Sequence, residues 1–391
     1  MLDFGARPGM IGVCIGESHV AEVYFLGKDP HMLQKARFAV AALVLAALVA
    51  GSASAADLST SLKKGTPELK SAGPLAFGPE GILFVGDTQS AAIFAIDTGD
   101  RSPSSAAGPL KVEGLDGKIA GMLGTTEKEI LINALAVNPA SGNAYLSISR
   151  GKGPDAMPAI MKVDREGKLD EFALKDVKYS KAVLPNPAKG RSRQESITHL
   201  AYLDGKVYVS GLSNEEFSSR FRAISFPFAE VAPGTNVEIY HGSHGKLETK
   251  SPIRTFAPYS VNGESYILAA YTCTPLVKIP VSQLVPGEQV KGTTIAELGN
   301  HNRPLDMIVY QKEGKDYILM ANNSRGLMKI SAENIDKAEA IKTPIKETAG
   351  LPYEKITGVK GVEHLDRFDK ENALVLLRNE NGLSLQTLNL P

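Results

Sequence analysis

One pattern recurs along most of this chain and limits what it can fold into. An apolar strand is followed by a tight turn, a second strand of β-branched and aromatic residues, a polar loop and a third strand. The first instance reads Pro74-Leu75-Ala76-Phe77, Gly78-Pro79-Glu80-Gly81, Ile82-Leu83-Phe84-Val85 and then Ile93-Phe94-Ala95-Ile96. The second runs from Leu135-Ala136-Val137 through Asn138-Pro139-Ala140-Ser141-Gly142 to Ala144-Tyr145-Leu146 and Ile160-Met161-Lys162-Val163. In the third, Leu200-Ala201-Tyr202 meets Val207-Tyr208-Val209 across Asp204-Gly205, with Ile224-Ser225-Phe226 after it. The fourth and fifth turn at Asn262-Gly263 and Glu313-Gly314, and the sixth shows only Leu374-Val375-Leu376 and Leu383-Ser384-Leu385. Asp-Gly and Asn-Gly are hairpin turns because these residues tolerate positive φ. From second to third strand, Val85 to Ile93, Leu268 to Leu276, Leu319 to Leu327 and Val375 to Leu383 all keep one eight-residue step.

The repeat predicts an all-β chain: a single β-propeller of about six four-stranded blades, closed by N- and C-terminal strands. Unit six runs out of chain after its third strand, so 68–71 is expected to supply its fourth and remove a free edge. A β-sandwich or two small β-domains is the competing architecture. No Ser/Gly-rich linker divides the chain, which favours one domain over 56–391.

Unit one, with Gly86-Asp87-Thr88 closing its second strand, resembles the NHL and SMP-30 (gluconolactonase) propellers over about 25 residues. In SMP-30-like lactonases a Glu/Asn/Asn/Asp set at the channel mouth holds a divalent cation such as calcium, which polarises an ester carbonyl. By approximate blade position, the resemblance gives those parts to Glu195, Asn133, Asn302 and Asp306. Tryptophan is absent, which fits poorly with quinoprotein dehydrogenases, and no Cys-x-x-Cys-His marks c-type haem.

The N-terminal region reads as an export signal that starts at Met32. Lys35 and Arg37 form a basic region, 38–50 is an apolar run, and Ala53-Ser54-Ala55 is a small-residue cleavage site. The run is too short to span a bilayer, which needs about 20 residues. The expected organisation is thus a mis-called start or disordered extension over 1–31, a signal peptide over 32–55 and the propeller from 56, in the periplasm or secreted. Cys14 precedes the cleavage site, leaving Cys273 as the one mature thiol and no internal disulfide. No second long apolar run follows, so no membrane association is expected after cleavage.

Lysine plus arginine equals aspartate plus glutamate at 43 each, so no global field draws in nucleic acid. The basic stretch 175–193, interrupted by Pro185-Asn186-Pro187, reads as a solvated insertion. Loops joining second to third strands, and loops entering first strands, should share the face around the channel. On that face the sequence places Asp87, Arg150, His199, Cys273, His301, Arg303, Asn323, Arg325 and Arg378 as ligand-facing candidates. A second metal set, of zinc or copper character, would be His241, His244, Cys273 and His301. Neither a Gly-x-Ser-x-Gly elbow nor a phosphate loop is present. The reading is an exported, monomeric binding or scaffold protein that takes a small molecule or a protein on the loop face. A divalent-metal-dependent hydrolase of the lactonase or arylesterase type is the alternative.

Overall fold

The computed structural model describes residues 58–391 apart from 107 and 274, plus a short antiparallel pair, Val13–Ile15 with Ala21–Val23, in the leading segment. The chain divides into two units, Met1–Ala56 and Asp57–Pro391. The expected signal and its cleavage site lie outside the described residues. Among the described residues no helix is long and apolar enough to cross a membrane, and one α-helix, Leu115–Met122, is present.

The second unit is a six-bladed β-propeller. Its six inner strands are Leu75–Phe77, Ile130–Val137, His199–Leu203, Ile253–Val261, Pro304–Lys312 and Val362–Arg367, numbered here as blades one to six. Second strands are buried on both faces, because each blade packs between two others. Ile82–Asp87 of blade one is buried at every residue. That double burial explains why these strands read as continuous apolar runs in the sequence. The inner hairpins of blades three and four turn at Asp204-Gly205 and Asn262-Gly263, where all four residues have positive φ. This matches the right-handed twist of the flanking strands and fixes their register.

Six apolar cores fill the six gaps between blades, and each draws on two of them. Phe84 and Ile93 of blade one pack with Val207, Val209 and Phe226 of blade three. Val85 and Phe94 pack on the other side with Tyr145 and Ile160 of blade two. Blade two in turn packs through Leu146 and Met161 on Leu374 and Leu385 of blade six. The remaining cores join three to four, four to five and five to six. The ring order is therefore one, three, four, five, six, two, so the first two blades are exchanged relative to the chain.

The connections account for this order. After its third strand, Ala92–Asp97, the chain leaves blade one and adds Lys111–Val112 to the edge of blade six, where Leu385 pairs with Val112. It then builds blade two and returns to complete blade one with Val177–Val183, which pairs with Ala92–Asp97. Two expectations are corrected here. The strand closing blade six is Lys111–Val112, and 68–71 instead runs past the Asp87 carboxylate. The basic stretch 175–193 is not a plain insertion, since Val177–Val183 is a blade strand. Lys178 and Lys181, three residues apart, face opposite sides of this outer strand, and Lys181 lies over the Phe94 ring.

Candidate functional site

The inner strands surround a central channel, and four of them carry a β-bulge near one end. The pairing register shifts between Ile132 and Ala134, Ile253 and Thr255, Pro304 and Asp306, and Val362 and His364. The residue added at each bulge is Asn133, Arg254, Leu305 or Glu363, and all four line a cavity of about 650 Å³ at the channel mouth. Bulges turn a side chain away from the ladder, and here three of the four, at Asn133, Arg254 and Glu363, equip the mouth with a polar group.

Three arginines and two glutamates meet there. Arg254 donates through one Nη to Glu195 Oε1 at 2.8 Å and through Nε to Thr272 Oγ1 at 3.0 Å. Arg378 is bound by both oxygens of Glu363. Among the described residues the Arg303 guanidinium has no hydrogen-bond or ion-pair partner, although it lines both this cavity and the adjoining one of about 700 Å³. Desolvation and the neighbouring charge of Arg254 lower its pKa, with Glu195 acting in the opposite sense. The mouth therefore carries one unbalanced positive charge, and that charge has donors to spare.

Deeper in the channel lies a second layer. His199 and Asp306 line the mouth cavity and also a third cavity of about 520 Å³ beyond, which marks the waist. Asp306 Oδ2 accepts from His364 Nδ1 at 2.8 Å and from the Leu365 amide at 3.2 Å. Burial disfavours the charged His364 ring, but the Asp306 charge and hydrogen bond outweigh it and raise its pKa. When His364 is protonated, the two form an ion pair across the inner strands of blades five and six. Desolvation has the opposite result at His199, whose pKa is lowered, so a neutral imidazole packs edge-on against Phe256 at 5.0 Å. Burial pushes Asp366 up to about 7, even though it accepts from the Val137 and Arg367 amides at 2.8 and 2.7 Å.

Of the ligand-facing candidates, His199, Arg303, Asn323 and Arg378 converge on this mouth. The others serve the framework. The Asp87 carboxylate is fully buried and accepts from the Lys70, Ser71 and Ser90 amides and the Ser71 hydroxyl. Arg150 donates to the Leu123 carbonyl at 2.8 Å, and Arg325 to that of Asn300 at 3.1 Å. The Cys273 amide donates to the Asn302 carbonyl at 2.8 Å, and exposed His301 accepts from the Ser324 hydroxyl through its carbonyl at 3.2 Å.

The oxygen-rich cation set does not come together. Asn302 is buried, donates to the Gly299 carbonyl and accepts from Asn322, and does not line the mouth. Glu195 is taken by Arg254 and Asp306 by His364, while the Asn133 amide donates to the Ala72 carbonyl at 2.8 Å. With their oxygens and amides so engaged, these residues do not fit a cation.

The nitrogen-rich set splits. His241 and His244 sit together, with centroids 3.9 Å apart, but they share Glu248; Cys273 and His301 are not in the group. Burial opposes the Glu248 charge, but bonds from Ser251, His241 and His244 hold its pKa down at about 2. Arg254, Glu363, His364 and Asp366 were missed in the sequence. They lie on inner strands, outside the loops that join the strands.

No protein-family model matches the chain, and no curated protein matches it. Among solved structures, similar chains include the PQQ-bound aldose sugar dehydrogenase of Streptomyces coelicolor, at 13% identity over 83% of this chain and 96% of that one, with a TM-score of 0.33. A glucose dehydrogenase is 14% identical over 84% of this chain and 99% of that one, with a TM-score of 0.34. A streptogramin B lyase is 10% identical over 84% and 97%, with a TM-score of 0.35. Likeness at this level carries no functional argument, and the propeller rests on its own sheets and cores.

Proposed function

We propose that this chain is an exported binding protein that holds a small carboxylate-bearing molecule in the mouth of its channel. The observation that carries the reading is the Arg303 guanidinium, unpaired beside Arg254 in a cavity of about 650 Å³. That volume suits a small ligand, and a planar guanidinium pairs with a carboxylate through two parallel hydrogen bonds. Arg254 and Asn323 flank it and offer further polar contacts. The bulge sets Arg254 on a sheet strand, and the Arg303 amide donates to Asn323 Oδ1 at 2.7 Å beside the strand Pro304–Lys312, so these groups need little ordering when a ligand arrives. Export is supported by the basic, apolar and small-residue pattern over 32–55.

The test is a thermal-shift titration with short mono- and dicarboxylates. Arg303→Ala removes charge-assisted bonds worth about 1.5–3 kcal/mol, or roughly ten- to hundredfold in affinity. It should abolish stabilisation by the carboxylate that protects the parent protein best, while Arg150→Ala keeps it. Equal protection of the Arg303→Ala variant and the parent would refute the assignment.

A further inference from the structure

We propose that the hairpin at the outer edge of blade three binds a divalent first-row transition ion, with His241, His244 and Glu248 as its protein ligands. His241 ends the strand Thr235–His241, Gly242–His244 forms one 3-10 turn, and Gly245 in the left-handed region returns the chain to Lys246–Glu248. His241 pairs with Lys246 across this hairpin, so the backbone itself holds the three side chains together. One ligand atom from each lies within 4.8 Å of the other two, and among the described residues no other His, Cys, Asp or Glu group of three does so.

Two imidazoles and one carboxylate suit zinc and its neighbours, whereas calcium and magnesium favour oxygen donors. Three protein ligands leave one tetrahedral position for water, and the half-exposed His244 side chain gives the ion a way in.

A second observation points to the same place. Hydrogen bonds to Glu248 occupy Nδ1 of both histidines, at 3.0 and 2.6 Å, but His241 Nε2 is buried without a partner. Glu297, from the fourth strand of blade four, is 1% exposed, and its Oε1 accepts from the Gly242 amide between the histidines at 2.5 Å. Its Oε2 has no partner. Buried polar atoms are nearly always paired, and a hydrogen-bonded His-Glu-His cluster leaves both of these unexplained. A cation there gives the cluster a counter-charge, with Glu297 in the supporting shell that fixes the turn.

The experiment is zinc titration of the chelator-treated, purified protein by calorimetry, with metal counted after gel filtration. One zinc per chain is expected, together with a rise in melting temperature. His244→Ala should weaken binding at least tenfold. Its side chain is half exposed, so an unchanged circular dichroism spectrum will show that it folds. Cys273→Ser and His301→Ala should bind as the parent does. Absence of saturable one-to-one uptake, full affinity in His244→Ala, or loss in Cys273→Ser would each overturn the assignment.

Discussion

Asp87→Ala should destabilise the propeller by about 3–5 kcal/mol, because it strands several buried donors at once. The carboxylate ends the second strand of blade one with no exposed surface, and it takes three backbone amides and the Ser71 hydroxyl at 2.8–3.1 Å. Through these bonds 70–71 is tied to the turn that follows the strand. Alanine leaves those part-buried donors without their acceptor, whereas Asp87→Asn keeps one acceptor and should cost roughly half as much. Urea unfolding followed by circular dichroism reads the difference. A cost below about 1 kcal/mol for Asp87→Ala would mean that water reaches these donors and that the carboxylate is not the tie.

Asp306→Asn should cost about 3 kcal/mol in acid and less in mild alkali, because it removes one partner of a buried ion pair. The dependence on pH follows from His364. Its folded pKa is raised above the ordinary value of 6.5, by the Asp306 charge against an opposing burial effect. The stability the pair contributes is fully present below that ordinary value and is lost as pH rises through the folded pKa. The gap between parent and variant should therefore be wide near pH 5 and narrow toward pH 9. Asp366 should respond as well, since the Asp306 charge adds to the burial that pushes it up. Denaturant midpoints across that range test this, and a gap that does not vary with pH would show that His364 stays neutral in the fold.

How much of this was legible in the sequence depended on which way each strand faces. Second strands such as Ile82–Asp87 are buried on both sides, so they stood out as apolar runs, and the Asp-Gly and Asn-Gly turns fixed their hairpins. The first strand of blade six, Val362–Arg367, was overlooked because its channel-facing positions carry Glu363, His364 and Asp366, which blurs the alternation. The residues that equip the channel were thus the ones that hid its last strand.

The exchanged order of blades one and two had no local signal, because it depends on where Lys111–Val112 and Val177–Val183 find edges to pair with. Loop position alone overstated the site. It brought in Arg303 and Asn323, but also Asp87 and Arg150, whose side chains are used by the framework. Telling the two groups apart required knowing which donors were already taken. The β-bulges that aim Arg254 and Glu363 inward are register shifts, and only the pairing of two strands reveals them.

In the function proposed here, the unpaired Arg303 beside Arg254 makes the channel mouth a carboxylate site. Calorimetric titration of the purified protein with a short dicarboxylate, beside its uncharged diamide, tests it most directly. One-to-one binding of the dicarboxylate is expected, at least tenfold tighter than the diamide and weakened by added salt. Equal affinity for the two ligands, or no carboxylate binding across the series, would contradict it.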